Sequence, residues 1–498
     1  MRKILFLTAV GALCLSGCDM DINENPNYPE NGSVTADLIF PAIENAIAAT
    51  TGDAMFNYGS FYAQYFEQRP EQNQYNDIVE QRLQESSQLI DRSYRTIYAG
   101  ALQDIEDVKS KVSTPADLFA ATVLRAYAFQ LMVDNMSDCP YTEALQGSSN
   151  TSPIWDDGAT VYKGVLAEMD EAEAKLSNGD IMTCTDPLLN KSVSAWKGFA
   201  NALRLRMYMR LIDGGIDASN YTSKATALVQ ANAFFNGHVA FDVYSDQEGQ
   251  YNPWYGSVFS LTTNHCAAHP LISYLSATND PRIGYGFLKA EATDTYVGQM
   301  PGAKTVMKNW GSNKDWKNKD VSAVNYAPAH AMPVYFFTQS ELQFLIAEVQ
   351  LRFLHNSSAA KSAYEAAIIA DFEARGMAGE EVGFMQGSRV NWDAAGSTDE
   401  QLKLIYMQKW VAFYYMNPME AWSELRRTDC PALSSSSGKD IYENPSIYNA
   451  GDLIEPAING LEGGGLVKRT HYPKSARQLN VNTPKEVSTA TPVFWDKK

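Results

Sequence analysis

Helix-start signals recur along this chain, and apolar residues at helical spacing follow each one. The clearest is Thr338 with Glu341. In such a capping box the hydroxyl accepts from the amide of the Glu while the carboxylate reaches back, so two amides left open at a helix start are satisfied. Leu342, Leu345, Ile346, Val349 and Phe353 then line one face. Ser397 and Glu400 repeat the box ahead of an apolar helix ending near Met416, and Pro418 opens the next, which carries Trp422. Thr114-Pro115-Ala116-Asp117 offers an N-cap, a Pro at the first helical position and an acid in the first turn. Ala120, Leu124, Tyr127, Ala128 and Leu131 follow it at helical spacing. Further helices are expected over 36–50, 83–111, 160–177 and 192–212, with Asp156-Asp157 capping the one from Thr160. Trp196, Trp410 and Trp422 sit in periodic apolar helices and are expected in the core. Val239–Val243 is a candidate short strand, but no run of alternating strands is present. The chain is expected to be mostly α with few short strands.

Residues 338–354 and 358–375 read as a helix–turn–helix pair. A 34-residue frame from Glu341 places Phe344, Leu351, Ala360, Tyr364 and Ala367 at the bulky and small packing positions of a tetratricopeptide repeat. Glu348 stands where a small residue is usual, and no Pro closes the frame. From this window alone, a repeat and an ordinary helical hairpin both remain open.

The N-terminus carries an address. Arg2 and Lys3 precede an apolar run from Ile4 to Leu15, a secretory signal too short to span a bilayer core of about 30 Å. Leu15-Ser16-Gly17-Cys18 resembles a bacterial lipobox, whose Cys18 thiol takes a diacylglycerol and becomes the mature N-terminus. Asp19 to Ser33, rich in Asn and Pro, reads as an extended leader or tether. Asp19, Asp21 and Glu24 close behind the Cys resemble the acidic surface-export signal of Bacteroidetes lipoproteins.

The chain holds 40 Lys+Arg against 58 Asp+Glu, a net charge of −18. That balance argues against nucleic acid as a partner. Cys139, Cys184, Cys266 and Cys430 are far apart and form no CxxC. Four lone core thiols are expected, with one long-range disulfide as the alternative. No GxSxG, HExxH or GxGxxG occurs, and Gly298 to Lys304 has the wrong spacing for a phosphate loop. His265 and His269 would share one face of a helix, but Cys266 replaces the Glu that a zinc protease needs, and Pro270 marks a helix entrance. Asp19, Asp21, Asn23 and Glu30 imitate a calcium loop, yet Glu24 occupies the Gly position of its sharp turn. No metal and no cofactor is expected.

What remains is stacking. Sugars present apolar C–H faces that sit on aromatic rings, while their hydroxyls need amides, acids or Arg nearby. The chain has 27 Tyr and nine Trp, several in Gly/Pro/Asn-rich stretches between about 236 and 335. Long irregular segments of this kind tend to be functional loops or ordered straps. Asn73 and Tyr75 (with Gln74), Trp254 with Tyr255, and Trp310 with Trp316 are the candidate ligand residues. The competing reading for each is a buried anchor of an irregular loop.

Taken in order, these pieces resemble the SusD/RagB family of Bacteroidetes nutrient-uptake lipoproteins, in its second SusD-like branch. The resemblance runs from the lipobox and DINENPN through DNMSDCPYTEAL (134–145), PIWDDGATVYKGVLAEMDEA (153–172) and WKGFANALRLRMYMRL (196–211). It continues through NDPR (279–282), TQSELQFLIAEVQLR (338–352), QKWVAF (408–413), EAWSELRRT (420–428) and KRTHYP (468–473). It departs at the turn Ser137-Asp138-Cys139 and at His471-Tyr472-Pro473. The resemblance implies a mostly α fold with tetratricopeptide-like helix pairs as scaffold and long irregular loops as ligand face. It implies a signal peptide over 1–17, a lipidated tether over 18–33 and one binding domain over 34–498. It further implies a non-catalytic, cell-surface lipoprotein anchored in the outer membrane through Cys18. Such a protein captures oligosaccharides, or alternatively peptides, and delivers them to a SusC-like TonB-dependent transporter. A lipid-anchored glycoside hydrolase is the third reading. The family's ligand loops vary most, so no binding residue transfers by position.

Overall fold

The computed structural model describes residues 34–84, 88–259, 264–310 and 316–497. The expected signal peptide, Cys18, the expected leader and its calcium-like spacing lie outside the described residues. Twelve described helices have nine residues or more: α1 Ala36–Thr51, α2 Ala54–Tyr62, α3 Gln103–Lys111, α4 Pro115–Met136, α5 Gly158–Glu173, α6 Val193–Asp213, α7 Ala218–Ala231, α8 His269–Ala277, α9 Gln339–Arg352, α10 Ser357–Ala374, α11 Thr398–Phe413 and α12 Pro418–Thr428. The strands are short and pair antiparallel. β1 Phe66–Gln68 joins β5 His265–Ala267, β2 Asp138–Cys139 joins β3 Asp156–Asp157, and β4 Val239–Phe241 joins β6 Val334–Phe337 with a bulge at Val239/Ala240. A mostly α fold with few short strands is what the chain forms.

Helix neighbours in sequence are neighbours in space: α4 packs on α5, α6 on α7 and α9 on α10. In the α9–α10 hairpin Phe344, Leu351, Ala360, Tyr364 and Ala367 are all buried, as the repeat frame requires. Helix α4 is apolar and long enough to cross a membrane, yet here it is the buried centre of the helical body. Gly59 allows α2 to touch the start of α12, because a Cβ there would lie 2.7 Å from the Met419 nitrogen. Cys139, Cys184 and Cys266 are buried thiols, and no disulfide joins any of the four described cysteines to another, so the long-range alternative falls away.

Some expectations need correcting. The 83–111 helix is a short helix Asp91–Arg95, a π-helical stretch Thr96–Leu102 and then α3. Asp157 does cap α5, accepting from the Thr160 amide at 3.0 Å, but Asp156 instead accepts from the Tyr141 and Thr142 amides. Both capping boxes are half-made. Thr338 accepts from the Glu341 amide at 3.0 Å, while the Glu341 carboxylate turns inward to Arg206. Ser397 accepts from the Glu400 amide, while Glu400 reaches the Gly396 amide instead of the N-cap's own.

The reason for Glu341 is a buried ionic network. Arg206 donates to both Glu341 oxygens at 2.8 Å. Arg210 bridges Asp134 on α4, at 2.6 Å, and Glu420 on α12. Arg427 holds Glu348 and Glu424 at 2.7 Å and Asp213 at 2.6 Å. Arg352 pairs with Asp213 and Glu348, and Lys409 on α11 with Glu424 at 2.6 Å. Five helices, α4, α6, α9, α11 and α12, therefore meet on one set of charges. Helices α6, α9 and α12 supply several members at one-face spacing, such as Arg206/Arg210 and Glu420/Glu424, while α4 and α11 give Asp134 and Lys409 alone. Glu348, the misfit of the repeat frame, is the acceptor for Arg427 and Arg352. Burial alone would raise its carboxyl, but Arg427 and then Arg352 beside it bring the pKa down to about 2.

A second charge knot fixes the irregular region to this scaffold. In the NDPR segment, Arg282 pairs with Asp280 at 2.6 Å and with Asp371 of α10 at 2.7 Å, and donates to Gln408 of α11 at 2.8 Å. Three buried apolar clusters result. The largest lies among the helices. A second, around Trp254, Phe287, Tyr414 and Tyr415, lies under the loops, and a third joins Met300, Met307, Trp310 and Ile454.

Removing one partner of a buried pair leaves the other charge uncompensated and costs about 3–5 kcal/mol. Glu348→Gln is expected to lose that much in urea unfolding at neutral pH. Because the Glu348 pKa is depressed, its contribution is present above the ordinary value of 4.5 and lost as pH falls through about 2. The variant should therefore show a shallower acid decline across that window than the parent.

Candidate functional site

The stretch 249–259 folds as a tight helical turn, Pro253–Val258, started by Asn252. The Asn252 side chain accepts from the Trp254 amide at 2.9 Å and donates to the Met332 carbonyl at 2.7 Å. Its backbone amide donates to the His330 carbonyl, so this one residue bolts the turn to the 330–332 segment. Successive residues on such a turn point about 100° apart. Trp254 and Val258 thus face inward and are buried, while Tyr251, Tyr255 and Phe259, at i, i+4 and i+8, share the outer face.

Those outer rings touch. Tyr251 meets Tyr255 edge-on with centroids 5.0 Å apart, and Phe259, 49% exposed, lies 6.1 Å from Tyr251. The His330 ring covers part of Tyr255 at 4.0 Å, and its Nδ1 lies 2.7 Å from the exposed Asp246 carboxylate. Ser245 donates to Gln250 beside it. The result is a half-open aromatic shelf edged with an acid, amides and a hydroxyl.

Beneath the shelf is a fully buried hub. Trp254 is 0% exposed, with Phe56 and Tyr326 against it at 4.7 and 5.3 Å. Its Nε1 donates to Asn57 Oδ1 at 3.2 Å, and His265 Nε2 lies 2.8 Å from the same oxygen. Since that oxygen only accepts, the imidazole carries its proton on Nε2, and Nδ1 accepts from the Tyr326 hydroxyl at 2.6 Å. Phe61 stacks on the ring at 5.5 Å and Tyr75 lies 4.7 Å away. Burial lowers the His265 pKa to about 3, so the hub is neutral. His269 starts α8 on a different element, against Tyr448. The two histidines are not a helical chelating pair, and no cluster of three metal-ligating side chains occurs among the described residues.

The candidate residues therefore separate. Tyr75, Trp254 and Tyr255 come together around the hub. Asn73 lies on the adjoining exposed strap, where its Oδ1 accepts from Lys304 at 2.6 Å. Trp310 and Trp316 are elsewhere, both packed on Tyr442 in the third apolar cluster. Tyr75, Trp254 and Trp310 are buried, the arrangement of the competing reading: each anchors an irregular loop with apolar contacts on its faces. Tyr255 and Trp316 keep partial exposure. Sequence reasoning missed Tyr251, Phe259, Tyr326 and His330. The first two were legible, because Tyr251, Tyr255 and Phe259 recur every four residues. Tyr326 and His330 join only through the fold.

Residues 26–448 match the family described as SusD-like, starch-binding and associating with the outer membrane. The chain belongs to this SusD-like family. No curated protein sequence matches it. Among solved structures it is similar to a chitin-binding SusD homologue from Flavobacterium johnsoniae (TM-score 0.70, 21% identity, 93% of this chain and 98% of that one). A SusD homologue from Bacteroides fragilis superposes with TM-score 0.70 at 20% identity, over 94% of this chain and all of that one. A Bacteroidetes SusD-like protein reaches TM-score 0.73 at 18% identity, over 93% of this chain and 100% of that one.

Because the His265 pKa is lowered, protonation opposes the folded state. Its contribution is complete above its ordinary value of 6.5 and is lost as pH falls towards about 3. Within that window the slope for one group is about 1.4 kcal/mol per pH unit. Stability measured against pH should fall less steeply there for His265→Asn than for the parent; equal slopes would remove the hub's role.

Proposed function

We propose that this chain is a non-catalytic, cell-surface binding protein that captures oligosaccharides on the Tyr251–Tyr255–Phe259 shelf. The observation that carries the reading is the shelf itself. Three contiguous rings at partial exposure, with Asp246, Gln250 and Ser245 beside them, offer C–H stacking and hydroxyl recognition together. The family's starch-binding description and the chitin-binding relative support a carbohydrate ligand. Trp316 and Tyr442 form a second, smaller aromatic surface that extends the same role, and Asn73 supplies an amide on the strap. Tyr75, Trp254 and Trp310 act from behind by holding their loops.

In this reading residues 1–17 are a signal peptide, 18–33 a lipidated tether and 34–498 one binding body. Cys18 carries the lipid that anchors the protein to the outer leaflet of the outer membrane. The captured oligosaccharide passes to a SusC-like TonB-dependent transporter, which supplies the import energy.

Two experiments test this. Cys18→Ala protein, purified without its lipid, is titrated against starch-, chitin- and plant-type oligosaccharides and against peptides. One glycan class is expected to bind, and Tyr255→Ala should weaken it about tenfold, or about 1.4 kcal/mol, with the fold unchanged. Binding of peptides alone would move the cargo, and hydrolysis of the bound glycan would make the protein an enzyme. In cells, Cys18→Ala should abolish surface labelling of the intact cell; labelling that persists would refute the anchor.

A further inference from the structure

A cavity of about 280 Å³ opens between α8, α11, the 388–395 loop and Asn449-Ala450. It belongs to neither aromatic surface. Its apolar lining includes the Tyr274 ring and Met407, both nearly buried. Around them stand Arg389 and Lys403, exposed cations that make no ion pair among the described residues. Asn391 spends its Oδ1 on the Asp393 amide at 2.8 Å, which leaves its NH₂ group available to the cavity. Glu400 also lines the space, but one of its oxygens is held by the Gly396 amide at 2.5 Å. Other arginines of this chain, from Arg206 and Arg210 to Arg282 and Arg427, are paired with carboxylates. Two unpaired cations facing one hollow on a protein of net charge −18 therefore define a local site of opposite sign.

We infer that this cavity is a second ligand site, built for a single sugar ring bearing a carboxylate, a hexuronate unit. Arg389 and Lys403 meet the carboxylate, the guanidinium offering two parallel donors. Tyr274 and Met407 lie under the C–H face of the ring, and Asn391 donates to a hydroxyl. At about 280 Å³ the cavity falls just below the roughly 300–1,000 Å³ of ordinary ligand clefts, and suits one ring better than a chain. The choice of a sugar acid rests on the carbohydrate reading proposed above, while the cavity itself stands apart from the shelf.

The test is calorimetric titration of the purified Cys18→Ala protein with glucuronate, glucose and acetate in parallel. Glucuronate should bind at least tenfold more tightly than either of the others, and added salt should weaken it. Arg389→Gln with Lys403→Gln, both on the surface and structurally mild, should lower glucuronate affinity at least tenfold. Tyr251→Ala with Tyr255→Ala should leave it unchanged, which keeps this result separate from the fate of the shelf. Equal binding of glucose would show that the cations are not used. Equal binding of acetate would show that the ring floor is not used. Glucuronate affinity unchanged in the double Gln variant, or undetectable in the parent, would overturn the site.

Discussion

The buried ion network between α4, α6, α9, α11 and α12 is the constraint on which the rest of the structure hangs. Charges taken out of water are tolerated only when each finds its opposite in good geometry. Arg210 must lie between Asp134 and Glu420, and Arg427 between Glu348, Glu424 and Asp213, or the desolvation cost goes unmet. Apolar packing alone permits helices to slide or rotate with modest penalty. A network of this kind permits one register. It sets where α11 ends and α12 begins, and hence where Tyr414 and Tyr415 project under the loops.

From that platform the irregular region is held by specific polar ties. Arg282 links NDPR to α10 and α11, and Asn252 bolts the aromatic turn to the 330–332 segment. The neutral His265 joins Asn57 on α2 to Tyr326 in the loops. Each tie satisfies buried polar groups and fixes a loop at once. The outer rings therefore stand on a rigid base, and little ordering is left for a ligand to impose. In the function proposed above, a face with little regular secondary structure is thus held ready for its ligand.

Much of the helical scaffold was legible because capping residues and apolar periodicity act locally. Thr114, Ser397 and Thr338 mark their helices within a residue or two. Asp-rich and Arg-rich positions inside helices were harder to read. Glu341 looked like a capping partner and Glu348 like a defect in a repeat, yet both answer arginines on other helices. Pairings of this range leave no spacing signal. The helices α2 and α7 were also missed: α2 is completed by the distant α12, while α7 buries only Tyr221, Ala225 and Val229 against its neighbour α6. At the candidate site, Trp254 and Tyr255 were rightly placed together in sequence but given one role. A helical turn sends one ring into the core and the other outward. His265 gained its meaning only when strand β5 brought it between Asn57 and Tyr326.

The central claim is that ligand recognition lies on the outward rings of the 251–259 turn, with the buried hub as their support. The most direct measurement is a crystal structure of the protein bound to whichever oligosaccharide titrates most tightly. The account predicts a sugar ring stacked over Tyr255 or Tyr251, within reach of Asp246, and Trp254 still buried beneath. A ligand seated away from these rings, with the shelf left bare, would contradict it.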